Sequence, residues 1–135
     1  MMPLKPVRAL MVALVAMLAV GACKDEEKPK AAVPVFVPVE TFTINLQPPQ
    51  SSYLHTTFEL KVHSQEVAEK IKVYMPELRN GAIFLLSTRQ GAELVSNEGK
   101  QKLGSDLAAM MNGLLGRDGL KDAVQAVNFT SFIIQ

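Results

Sequence analysis

Few side chains in this sequence are of a type that does chemistry, and their spacing decides what each can do. It holds two histidines and one cysteine. His55, Glu59 and His63 fall on one parity of the alternating segment Tyr53–His63. Neighbours in that set are separated by about 13 Å at strand rise, whereas metal ligands converge to about 2 Å from an ion. They are expected to face solvent, not to share a metal. Ser96 stands near Glu98 and Lys100, as a nucleophile beside a base would. Ser-Asn-Glu-Gly is also how a helix opens, with the serine as its cap, and the sequence context favours that reading. Gly91, Gly99 and Gly104 lack the spacing of a phosphate-cradling loop. Met110 and Met111 lie on an apolar stripe, where methionine fills core gaps. No nucleophile and base, and no paired acid and base, are brought together. The residues call for no catalysis and no cofactor or metal.

Composition agrees. The 135 residues carry 14 Lys+Arg against 13 Asp+Glu, a net charge of +1, with both signs scattered. A nucleic-acid face needs a basic excess, so nucleic acid is not the expected partner. One cysteine excludes an intrachain disulfide. Hydrophobic residues make up 48%, enough for one core.

The N-terminus reads as an address. Lys5 and Arg8 precede Ala9–Ala22, a run of 14 residues without charge. A bilayer span needs about 20 such residues, so the run suits the apolar region of a secretory signal. It ends Val20-Gly21-Ala22-Cys23, which resembles the lipobox of bacterial lipoproteins, in which the cysteine becomes the lipidated N-terminus. Residues 1–22 are therefore a signal peptide or, alternatively, a membrane anchor, and Cys23 is the expected lipid attachment site. Residues 23–38 form a tether, charged at first and then rich in proline (Pro29, Pro34, Pro38), which favours extended chain.

Residues 39–135 make the domain. Val39–Leu46 alternates, with Phe42, Ile44 and Leu46 on one face. Gln47–Ser52 breaks the strand, and Tyr53–His63 alternates again, predicting an antiparallel hairpin. Ser64 caps a helix carrying Val67, Ile71 and Tyr74 inward. Pro76 interrupts it and opens a second helix, to about Thr88. Arg89–Ala92 reads as a connector, and Ser96 caps a third helix with Leu103, Leu107, Met110, Met111 and Leu114 as its stripe. Val124–Gln135 is apolar on both faces, as a covered central strand is. The expected fold is α+β: a small, mainly antiparallel sheet in the order β-β-α-α-α-β, covered by helices.

These segments resemble the FliL family of flagellar basal body-associated proteins. The resemblance rests on Phe42-Thr43-Ile44-Asn45-Leu46 with Tyr53-Leu54, then Pro76-Glu77-Leu78-Arg79-Asn80 leading into Phe84-Leu85-Leu86-Ser87. Ser96-Asn97-Glu98-Gly99-Lys100 with Leu103 follows, then Asn112 closing that helix, and Phe129–Gln135. It implies a stomatin/prohibitin-like periplasmic domain at the inner membrane, in the flagellum basal body. It further implies a homo-oligomeric ring and binding to the MotA/MotB stator, in support of rotation, motility and chemotaxis, without catalysis. The outward parity of the hairpin (Tyr53, His55, Glu59, Lys61) is the candidate partner surface. The rival reading is an envelope lipoprotein that binds a small ligand or scaffolds an unrelated complex.

Overall fold

The computed structural model describes residues 33–135; the expected signal peptide or anchor and the expected lipid site Cys23 lie outside the described residues. β1 (Val35–Asn45) and β2 (Tyr53–Val62) pair antiparallel as the predicted hairpin. α1 (Gln65–Val73), α2 (Met75–Leu86), α3 (Gly91–Leu94) and α4 (Asn97–Gly116) follow, and β3 (Ala126–Ile134) closes the domain antiparallel to β2. The class is α+β, a three-stranded antiparallel sheet in the order β1-β2-β3.

The helix starts follow from their caps. The Ser64 side chain accepts from the Val67 N–H at 3.2 Å, and Ser96 accepts from the Gly99 N–H at 3.0 Å. Tyr74 separates α1 from α2, and Pro76 sits in the first turn of α2, where a missing N–H leaves no bond unmade.

The inner face of the sheet and the helices share one core. Leu54, Phe58, Leu60 and Val62 of β2 meet Ile71, Leu78, Leu86, Leu103, Leu107 and Met111, all fully buried. An aromatic row crosses the sheet beneath the helices. Phe42 stacks on Phe58 at 5.3 Å, Phe58 meets Phe129 edge-on at 5.9 Å, and Phe129 meets Phe132 at 5.1 Å. A cation closes each end: Arg79 lies 4.4 Å from the Phe42 ring and Lys100 5.4 Å from the Phe132 ring. Thr56, the buried polar residue of β2, donates its hydroxyl to the Ser131 carbonyl at 2.8 Å.

Four expectations change. β1 starts at Val35, so Val35–Pro38, which the proline pattern placed in the tether, are strand and pair with β2. β3 is an edge strand, and β2 is the central one. The connector after α2 folds in part into the short helix α3. Asn112 lies within α4, not at its end. There its side-chain amide clamps the chain entering β3, donating to the Val124 carbonyl at 2.9 Å and accepting from the Val124 N–H at 2.8 Å.

Candidate interaction surface

All four helices pack on one face of the sheet or beside it, and among the described residues the other face is open. Alternation along β2 delivers Tyr53, His55, Thr57, Glu59 and Lys61 to that open face, between buried partners on the opposite side. The register sets their neighbours. His55 stands opposite Thr43 on β1 and Ile133 on β3, and Glu59 opposite Pro38 and Asn128. Lys61 stands opposite Phe36 and Ala126. The structure thus brings the four sequence-predicted residues onto one surface, spread along a whole strand.

Two β-bulges meet at its middle. Between Val39 and Phe42 the register with β2 shifts, so Glu40 and Thr41 both oppose Thr57. Between Thr57 and Phe58 the register with β3 shifts, and Thr130 is the extra residue. Such bulges sharpen the twist and re-aim side chains. The result is a line of hydroxyls: Thr41 and Thr57 pair at 3.0 Å, and Thr130 donates to the Thr57 carbonyl at 3.2 Å. Thr43 pairs with Nδ1 of His55 at 3.1 Å.

Apolar groups flank this polar line. Tyr53 is 54% exposed, Ile133 45% and Phe36 43%. Thr43, Tyr53, His55, Ile133 and Gln135 enclose a shallow hollow of about 410 Å³ at the turn end of the face. The arrangement offers hydroxyl and imidazole hydrogen bonds, an aromatic anchor and two opposite charges on a rigid sheet. That is the chemistry of recognition by complementarity, with tyrosine as its natural anchor.

The other residues singled out from the sequence have structural employment. Ser96 caps α4 through its hydroxyl, and Met111 is fully buried with Met110 packed against the core. His63 is exposed just beyond β2. Among the described residues no group of three His, Cys, Asp or Glu side chains is placed to hold a metal ion. No described helix is long and apolar enough to cross a membrane.

Sequence reasoning missed Arg79. Its guanidinium donates to the Glu40 carbonyl at 2.8 Å while stacking on Phe42, so it ties α2 to the bulge of β1. It also lines a groove of about 650 Å³ with Val37, Pro38, Met75, Pro76 and Ile83. Next to that groove Phe84 is 68% exposed. The signal was present in part: Phe84 lies off the inward stripe of α2, which holds Leu78, Ala82 and Leu86, although nothing in the sequence placed Arg79 beside β1.

The family model described as "Flagellar basal body-associated protein FliL" matches residues 36–135. The chain belongs to the FliL family. FliL of Escherichia coli (strain K12), named "Flagellar protein FliL", is 28% identical over 102 residues, 76% of this chain and 66% of that protein. The protein of the same name from Aquifex aeolicus is 27% identical over 95 residues, 70% of this chain and 56% of its own length. The matched region thus spans just under two thirds of the first relative and somewhat over half of the second. All three sheet strands lie within or across the FliL match, which takes in the whole open face.

Proposed function

We propose that this chain is a non-catalytic accessory protein of the flagellar basal body that supports rotation, motility and chemotaxis. It self-associates side by side and binds the periplasmic region of the MotA/MotB stator. The family match over residues 36–135 carries this reading. An open, hydroxyl-rich sheet face with Tyr53, His55, Glu59 and Lys61 supplies the contact surface. Residues 1–22 export the chain or anchor it, and Cys23 takes the lipid at the inner membrane. The twelve residues from Cys23 to Pro34 then reach at most about 40 Å, so the domain stays close to its membrane.

The physical effect is differential binding. A domain that grips the ion-conducting stator more tightly than the closed one raises the conducting population, whereas equal affinity for both changes nothing. Cross-linking in cells tests the reading directly. Covalent adducts with MotB and with a second copy, together with slower swimming on deletion of the gene, are the expected result. Normal swimming and swarming with no MotB adduct overturn it. Cys23→Ser should abolish lipid labelling and release or mis-sort the protein; undiminished labelling removes the lipid anchor from the proposal.

A further inference from the structure

The two edges of the sheet are built differently. β1 is blunted against further pairing: Pro38 stands within it, Glu40 and Thr41 bulge, and Arg79 occupies the Glu40 carbonyl at 2.8 Å. β3 has no proline and no charged residue from Ala126 to Ile134. Tyr53 and Gln135 exchange both backbone bonds, at 2.6 and 2.9 Å. Counting back from that pair and past the extra residue Thr130 puts the main-chain groups of Ile134, Phe132, Phe129 and Val127 on the outer side of β3. A groove of about 760 Å³ runs between this edge and α4, with Ala126 and Val127 on one side and Ser105, Ala108 and Ala109 on the other. It occupies the place beneath α4 that a fourth strand would fill.

We infer that the β3 edge receives an isolated extended segment of another protein as a fourth strand. Main-chain bonds to β3 hold it, and alternate apolar side chains of small or medium size enter the groove. An acidic residue of the segment meets Lys100, the one charged residue among those lining the groove. A second copy of this chain does not fit. Its β3 carries its own α4 on the inner face, its β1 packs against its own α1 and α2, and two helices would contend for one groove. Residues 24–32 do not fit either, because Lys24–Ala32 carries Pro29 and six charged side chains and does not alternate. The inference is independent of the stator reading, since it concerns an edge of the sheet and not its open face, and it is tested on purified protein.

The test uses the full chain in detergent and fluorescein-labelled nonapeptides of alternating threonine and valine. One ends in aspartate, one in lysine, and one ends in aspartate but has a central proline. Saturable binding is expected for the aspartate peptide, about threefold weaker for the lysine peptide, and none for the proline peptide. Lys100→Glu should reverse the ranking of the two charged peptides. Ala109→Trp, on the exposed side of α4, should fill the groove and abolish binding at an unchanged melting temperature. Failure of both alternating peptides to saturate overturns the inference, as does binding indifferent to Ala109→Trp. An oligomer that dissociates on Ala109→Trp also overturns it, because a second copy then occupies the edge. If Ala109→Trp does not fold, the Lys100→Glu ranking decides alone.

Discussion

Asp106 joins two basic residues with one oxygen. Its Oδ2 accepts from Lys102 at 2.7 Å and from Arg89 at 2.7 Å. The Lys102 hydrogen bond, helped by Arg89, holds the carboxyl below its ordinary 3.8 against the opposing effect of burial. The folded state therefore binds the proton less readily than the unfolded chain. Stability from this group is complete above the unfolded value and is lost as pH falls through the lower folded one. Asp106→Asn should cost about 1 kcal/mol near neutral pH, since the groups are partly exposed. The difference from wild type should shrink as pH falls through the lowered folded value and vanish only well below it. Urea unfolding across that range checks it; an equal loss at both ends would show that charge is not the cause. Gly99 makes a second residue-scale case. Glycine to alanine inside a helix ordinarily gains about 1 kcal/mol. Here a Cβ would overlap the Glu93 carbonyl oxygen, which is backbone and cannot turn aside. Gly99→Ala should therefore destabilise by about 2–3 kcal/mol. A variant melting above wild type would refute the close approach of α3 to α4.

At the scale of elements, the bulges explain which strands were legible. β2 keeps strict alternation, and its buried and open faces could be read residue by residue. The same holds for the helix starts at Ser64 and Ser96, where a hydroxyl cap is a local signal. β3 misleads because Thr130 is inserted: Phe129 and Phe132, three apart, both face inward, and an alternating edge strand reads as apolar on both sides. β1 misleads likewise, since Val37 and Val39 share the inner face with Phe42 and Ile44 only across the Glu40–Thr41 bulge. Its prolines looked like tether, but an edge strand tolerates proline. The candidate surface was legible as a parity, whereas its hydroxyl line and Arg79 depend on contacts between residues 16 and 73 apart or on a neighbouring helix. Edge position also sets the size of a truncation. Deleting Phe132–Gln135 removes two half-buried apolar side chains and the paired bonds to Tyr53. The expected loss is about 3 kcal/mol, a large share of the ~5–15 kcal/mol typical of a domain. A truncated chain unfolding at the same urea concentration as the full one would contradict that role for the end of β3.

For the whole molecule, the sheet gives the domain a near and a far end. β1 begins at Val35 opposite Val62, so the chain arrives from its N-terminal segment at the Lys61 end of the open face. The turn at Gln47–Ser52, with Tyr53 and Gln135, lies at the other end, about 30 Å away along a ten-residue strand. On the proposed membrane anchoring, Lys61 and Phe36 would be proximal, and the hollow around Tyr53, His55 and Ile133 distal. A partner that engages the face away from the membrane should thus depend on Tyr53 and His55, and one that engages it close to the membrane on Lys61 and Glu59. Tyr53→Ala and Lys61→Glu separate the two. Both side chains stand on the open face, outside the core, so each variant should keep its stability within about 0.5 kcal/mol. One of them should lower cross-linking to the stator and swimming speed together. If both leave adducts and swimming intact while deletion of the gene stops them, the stator contact lies on the helical side, and the groove beside Arg79 and Phe84 becomes the surface to mutate.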